Sequence, residues 1–295
     1  MTPPPADIDV DLELARRLLT GQHPELDGAL QLETTGWDNV IFRLGHDLAL
    51  RIPRRKIAAR LIDHEQRWLP KIAPHLPISI PAPVRNGLPA NEFPYPWSVV
   101  PWVAGEIALH TPLVSTEGAR LGSFLRALHD IPIAPDPPTN PYRGVPLVDR
   151  RATFDQRLAA ARRSLGDELA DSARRLLRSA MSIQVTDGPS WIHGDLHSKN
   201  VITKNGRIVS VIDWGDICTG DPATDLASLW ILFDPADHHH FWDTYGVIDE
   251  DLYTRSLGWA VAFGLMLHDS HHQADPAFAA AGVETIRRAV STWSR

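Results

Sequence analysis

Asp195, Asn200 and Asp213 stand within one stretch, Trp191 to Asp216, WIHGDLHSKNVITKNGRIVSVIDWGD, and their types suit one chemistry. Moving a γ-phosphoryl group needs a divalent cation to neutralise phosphate charge, and Mg²⁺ prefers hard oxygen ligands of the kind that Asn200 and Asp213 carry. It also needs a carboxylate kept off the metal, which orients an acceptor hydroxyl and takes its proton as the new P–O bond forms. Asp195 is the candidate for that role. Any one of these residues alone would serve equally well as a turn former. With His193, Gly194 and the run Asp213-Trp214-Gly215 at these spacings, the set points to phosphoryl transfer.

The elements that must position them are legible nearby. Asn205-Gly206 suits a tight primed turn, because both central positions tolerate positive φ, and Val201-Ile202 and Ile208 to Ile212 are β-formers. Two strands therefore return Asp213 towards Asp195. The five positions from Asp195 to Asn200 match the spacing of base and metal-ligating Asn in a kinase catalytic loop, and Asp213-Trp214-Gly215 stands where such enzymes carry Asp-Phe-Gly. On these residues the chain resembles the aminoglycoside phosphotransferase family, the kinase-like group that includes choline kinases, homoserine kinases and macrolide phosphotransferases. The resemblance is strongest between His193 and Asp225 and extends from about Thr34 to the C-terminal helices. The run RIPRR beginning at Arg51 is similar to the macrolide phosphotransferases.

That resemblance implies an α/β fold of the α+β kind, bilobal and protein-kinase-like, with a small antiparallel β-sheet lobe and a mainly helical C-terminal lobe. Residues 1–102 would bind nucleotide and end in a hinge strand; residues 103–295 would carry the catalytic loop and the acceptor site. It implies Mg²⁺ held by Asn200 and Asp213, and ATP or GTP as phosphate donor. His193 and Asp225 would shape the catalytic loop, Asp225 either bracing it from behind or standing as a first-turn carboxylate favoured by a helix dipole. The acceptor implied is a hydroxyl of an aminoglycoside- or macrolide-like antibiotic. A metabolic kinase for an amino alcohol, amino acid or sugar is the alternative. A non-catalytic nucleotide binder is the reading from another class, and retention of Asp195, Asn200 and Asp213 together argues against it.

Composition narrows the partners. With 29 basic and 36 acidic residues in 295, the net charge of −7 offers no basic footprint for nucleic acid and would suit a cationic small molecule. Cys218 is the single cysteine, which excludes an intrachain disulfide and a zinc–cysteine site. The opening MTPPPADIDVDLE is acidic and proline-rich rather than a secretory signal. The longest apolar run, near Leu257 to Leu267, is too short to cross a bilayer. A cytoplasmic protein without membrane, nucleic-acid or protein partner is the expectation.

The remaining motifs follow in chain order. Asp11 to Leu19 reads as a short helix, and three strands follow: Ala29 to Thr34, Val40 to Leu44 and Leu48 to Ile52. The first connection, Gly36-Trp37-Asp38-Asn39, would lie over the nucleotide phosphates, with Gly36 allowing close approach and the amides of Asp38 and Asn39 facing oxygens. On the third strand, where protein kinases place Lys, this chain offers Arg51, which can grip phosphate through two hydrogen bonds. Lys56 is the rival, but it lies past Pro53 in the next helix. That helix, Arg55 to Ala73, puts Ile57, Leu61, Ile62, Glu65, Trp68 and Leu69 on one face. A Glu on a buried face needs a partner, so Glu65 is paired with Arg51.

Trp97 to Trp102 reads as the hinge strand, whose backbone from Val100 to Val103 would meet the purine edge while Pro101 and Trp102 pack near the base. Ser115 to His129 is an amphipathic helix with His129 as a capping residue. Residues 131–146 are too rich in proline for helix. An inserted pair of helices, Arg151 to Leu165 and Glu168 to Ile183, would help form the acceptor cleft by resemblance. Only eight residues separate Asp213 from Pro222, too few for a peptide-binding activation segment, which favours a small-molecule acceptor. Ser198-Lys199 replaces the Pro-Gly of many relatives, and Lys199 is read as a solvated lysine or a phosphate contact. His238 to His240, and His268, Asp269, His271 and His272, invite a metal by their spacing, but consecutive histidines diverge on a helix. His268 or Asp269 facing the acceptor cleft is the other option.

Overall fold

The computed structural model describes residues 5–186, 188–271 and 275–294. Helix α1 (Leu12–Gln22) starts at Asp11, whose carboxylate accepts the Leu14 N–H at 2.7 Å and satisfies one of the orphan donors of the first turn. It packs on an antiparallel sheet of β1 (Leu30–Thr35), β2 (Asn39–Leu44), β3 (Leu48–Pro53), β4 (Arg85–Gly87) and β5 (Trp97–Pro101), in the order β1-β2-β3-β5-β4. The period of two sends Val40, Phe42 and Leu44 to one face, where they join Leu50, Ile52, Trp97, Val99 and the Leu14 and Leu18 side chains of α1 in one core.

Between β3 and β4 runs α2 (Lys56–Ile72), whose buried residues are Ala58, Ala59, Ile62, Glu65, Trp68, Leu69 and Ile72. Ile57, expected on that face, is instead 62 % exposed. At 3.6 residues per turn it lies about 100° round from the centre of the buried stripe, and Ala58 takes the inward position. Trp68, Leu69 and Ile72 belong to the second, larger core. Of the two cores, α2 thus contributes to the larger.

That second core is mainly helical. It is built from α3 (Glu117–His129), α4 (Arg151–Leu165), α5 (Asp167–Ser182), α6 (Ala223–Leu226), α7 (Ser228–Leu232), α8 (His238–Tyr245), α9 (Glu250–His271) and α10 (Pro276–Trp293). In α9 Leu257, Trp259 to Phe263 and Leu265 are all buried, so this helix is enclosed by its neighbours rather than amphipathic. No helix of the described residues is long and apolar enough to cross a membrane. The proline-rich residues 131–138 contain no helix or strand, as expected.

Two small sheets carry the central stretch. β6 (Glu106–Ile107), β8 (Val201–Lys204) and β9 (Arg207–Val211) form one, and β7 (Ser190–Ile192) pairs with β10 (Cys218–Gly220) in the other. Asn205 and Gly206 turn β8 into β9 with φ of 54° and 72°, the left-handed pair of a type I′ hairpin. The β7–β10 register sets Ile192 opposite Cys218, which brings the start and end of the stretch together.

Candidate active site

The loop after β7 and the turn after β9 meet at Asp195, Asn200 and Asp213. Asn200 donates from Nδ2 to the Asp195 carbonyl at 2.9 Å, and the Ile212 N–H donates to the Asn200 carbonyl at 2.9 Å. These two bonds lock the five-residue segment to the end of the hairpin. Asp213 follows at once, in the left-handed region with φ 60°, which swings its half-exposed carboxylate away from the strand line.

His193 and Asp225 hold the loop from within. The His193 Nδ1 accepts the Asp195 N–H at 3.1 Å, so its proton sits on Nε2, which donates to the Ile212 carbonyl at 2.9 Å. Asp225, fully buried in α6, accepts the His193 N–H at 2.7 Å and the Gly194 N–H at 2.9 Å. Of the two readings the sequence allowed for Asp225, this is the brace. Gly194 has φ 83°, and a Cβ there would lie 2.9 Å from the Asp216 carbonyl, so the tight approach requires glycine.

His129 is not a cap. It is buried at the end of α3, where Nδ1 meets the Tyr245 hydroxyl at 2.9 Å and Nε2 lies 3.6 Å from Asp225. Helical periodicity placed it inward, and the partner comes from α8, far along the chain. Lys199 is partly exposed and paired: its ammonium meets Asp275 at 2.7 Å and lies 4.0 Å from the Phe278 ring centre. It thereby fastens the loop to the N-terminus of α10.

Across from Asp213, a cavity of about 340 Å³ opens between the sheet and the small hairpin. Its lining includes Thr34, Ala49, Arg51, Glu65, Val100, Trp102, Ile202, Ile212 and Asp213. Its size falls within the range of small-molecule sites. One Arg51 nitrogen, Nη2, lies 3.1 Å from Glu65 and 2.7 Å from Asp213. Burial pushes the Glu65 carboxyl up to about 7, against the opposing pull of Arg51. Lys56 lies apart, its N–H capped by Asp7 at 2.7 Å.

Gly36, Asp38 and Asn39 are not among the residues lining that cavity. The Gly36 N–H donates to the Asn39 carbonyl at 2.8 Å, and Asp38 pairs with Arg55. Trp102 borders the cavity by its side, while its N–H is taken by the Asp47 carbonyl at 2.7 Å.

On the other side of Asp195 stands a residue that the sequence reading did not single out. Arg143, from the loop before α4, donates from Nη2 to Asp195 Oδ1 at 2.5 Å and from Nε to Asp216 Oδ2 at 3.2 Å. Burial alone would raise the Asp195 carboxyl, but the Arg143 guanidinium and then His197, 3.4 Å away, hold it well below the usual carboxylate range. The only sequence signal for Arg143 was its charge in a proline-rich loop, shared with many other arginines.

His268 and Asp269 line a wider cavity of about 840 Å³ beside α4, where Asp269 pairs with Arg157 at 3.4 Å. His272 lies outside the described residues. His238 is buried against the Trp230 ring, and its burial lowers it to about 4.

Asn200 and Asp213 fit a Mg²⁺ ion by chemistry. Both offer hard oxygens, their backbones are tied side by side, and Asp213 Oδ2 has no partner among the described residues.

A family model described as the phosphotransferase enzyme family matches residues 31–259, more than three-quarters of the chain. The chain belongs to that family. Its family match takes in all of the site residues named above except those of α10 and the end of α9. Among curated relatives, it is 28 % identical over 137 residues to an aminoglycoside 3'-phosphotransferase of Salmonella typhimurium, covering 45 % of this chain and 50 % of the relative. The match thus spans about half the length of that relative. Among solved structures, the GDP and kanamycin complex of APH(2")-IIia superposes with a TM-score of 0.70 at 19 % identity, over 94 % of this chain and 98 % of the other. The macrolide 2'-phosphotransferase MphH from Brachybacterium faecium superposes with a TM-score of 0.59 at 20 % identity, over 92 % and 96 %. These likenesses establish the bilobal kinase-like fold of the family.

Proposed function

We propose that the protein transfers the γ-phosphoryl group of ATP or GTP to a hydroxyl of a small molecule, with an aminoglycoside- or macrolide-like antibiotic as acceptor. The observation that carries this reading is the convergence of Asp195, Asn200 and Asp213, tied through the Asn200–Asp195 and Ile212–Asn200 bonds, with Asp213 lining a cavity beside the Arg51–Glu65 pair. Family membership and the acceptors named for its relatives support it.

In this reading residues 1–102 bind the nucleotide and residues 103–295 the acceptor. The base packs against Val100 and Trp102, and Arg51, steadied by Glu65, grips the phosphates. Asn200 and Asp213 hold Mg²⁺, which when bound neutralises phosphate charge. Asp195 accepts a hydrogen bond from the acceptor hydroxyl and takes its proton as the oxygen attacks phosphorus. A carboxylate held this far below its usual range is a weak base, so orientation is its main contribution, with proton transfer late. That division suits a loose transition state, in which little negative charge must first build on the nucleophile. His193 and Asp225 keep the loop in register.

The test is nucleotide consumption with ATP and GTP run separately against aminoglycosides, macrolides and small amino alcohols. Stimulation by an antibiotic identifies donor and acceptor together. Stimulation only by amino alcohols assigns a metabolic kinase instead, and nucleotide binding without any consumption refutes the catalytic reading.

A further inference from the structure

We propose that Arg143 is a positioning residue for the transfer, clamping one oxygen of Asp195 so that the other is presented to the acceptor hydroxyl, and that Asp216 is its anchor. The proposal rests on the phosphotransfer reading above.

Each nitrogen of the Arg143 guanidinium has its own partner. Nη2 meets Asp195 Oδ1 at 2.5 Å, Nε meets Asp216 Oδ2 at 3.2 Å, and Nη1 lies 3.2 Å from the Met266 sulfur. The plane is packed over the Phe263 ring at 5.3 Å. A rigid planar fork held at three points and on one face has little freedom left, which is what a positioning group requires. Asp216 is fixed in turn, its Oδ1 accepting from Asn140 Nδ2 at 2.8 Å. Asn140 also folds the loop, its Oδ1 accepting the N–H groups of Tyr142 at 2.8 Å and Arg143 at 3.2 Å. The chain Asn140, Asp216, Arg143, Asp195 thus runs without a break from a loop that lacks regular structure to the candidate base.

The consequence lies in which oxygen remains. With Oδ1 held by Arg143, the Asp195 carboxylate is fixed in orientation, and among the described residues Oδ2 faces His197 at 3.4 Å on a side chain that is a quarter exposed. A hydroxyl arriving from solvent meets Oδ2. A misaligned base costs rate rather than nucleotide affinity, because the Arg51 side of the cavity shares no bond with Arg143.

The experiment compares Arg143→Gln, Arg143→Lys, Asp216→Asn and the double variant Arg143→Gln/Asp216→Asn. It measures acceptor-dependent kcat, nucleotide KM and melting temperature. Arg143→Gln is expected to lower kcat by about 100-fold, with nucleotide KM within about twofold, and to lower the melting temperature as well, because Asp195 and Asp216 lose their shared cation. Arg143→Lys recovers part of the loss, since an ammonium can reach one carboxylate but not bridge two. Asp216→Asn falls between them, and the double variant is no worse than Arg143→Gln alone.

Unchanged kcat, a loss that appears in nucleotide KM, or no recovery in Arg143→Lys would overturn the assignment. So would a rise in kcat, which would make Arg143 a block on Asp195. A second readout needs no turnover: the Arg143 Nε–H resonance is expected to be protected from exchange in the wild type and to lose that protection in Asp216→Ala, which leaves no acceptor. Persistence of the protection there refutes the clamp. Bound nucleotide with no acceptor turnover in the wild type refutes the phosphotransfer reading instead, so the two failures are told apart.

Discussion

Arg51 on β3 reaches Asp213, 162 positions later, with Nη2 at 2.7 Å from Oδ1, and this contact joins the sheet to the hairpin that carries the candidate metal ligands. The same nitrogen meets Glu65 of α2 at 3.1 Å. Three elements from distant parts of the chain thus share one guanidinium. Arg51→Ala is expected to leave the Glu65 carboxylate buried without its partner, costing about 3–5 kcal/mol of stability. Urea unfolding measures that cost, and calorimetric nucleotide titration should show binding weakened in the same variant.

The raised Glu65 carboxyl has a definite sign for stability. Its ordinary value is 4.5 and burial takes it to about 7, so the folded state binds the proton more tightly than the unfolded chain. The resulting stability is fully present below pH 4.5 and is lost as pH rises through about 7. The loss is on the order of 3 kcal/mol. Glu65→Gln should flatten this part of the stability profile; an identical slope in the variant would assign it to another group.

Asp195→Ala is expected to reduce acceptor phosphorylation by about 10²–10⁴-fold and leave nucleotide affinity within about twofold. Single-turnover assays beside equilibrium nucleotide binding separate the two. Full activity in this variant would remove Asp195 from the mechanism.

Asp225→Ala removes the acceptor of two buried backbone N–H groups, those of His193 and Gly194. About 3 kcal/mol of destabilisation is expected, with Asp225→Asn milder because the amide oxygen still accepts. Thermal melting and turnover should fall together, since the loop that loses its brace is the one carrying Asp195.

Lys199→Ala distinguishes a fastener from a phosphate ligand. Its ion pair with Asp275 is partly exposed on both sides, at 28 % each, so a loss of no more than about 1 kcal/mol is expected. Nucleotide affinity should stay within about twofold. A larger fall in affinity would show that Lys199 contacts phosphate after all.

Much of this protein was readable from local pattern. Asn205-Gly206 demanded a type I′ turn because both positions take positive φ, and that turn determines that Asp213 comes back to the loop of Asp195 and Asn200. Periodicity marked α2 and α3, and it placed Glu65 on a buried face, where the cost of an unpaired carboxylate required a cation such as Arg51. These are short-range constraints, set by residue type and spacing within a turn or two of chain.

What the fold alone decided are contacts whose partners share no local pattern. Arg143 comes from a loop without helix or strand period, so nothing in its neighbours showed that it would reach Asp195 and Asp216. His129 lies at an inward helical position, but whether it caps, packs or pairs depended on α8 supplying Tyr245 and α6 supplying Asp225. Lys199 looked solvated until the N-terminus of α10 brought Asp275 to it. Charge and hydrogen-bonding capacity are written in the sequence, but the partner of a long polar side chain is selected by which distant elements close around it, and that is a property of the packed chain.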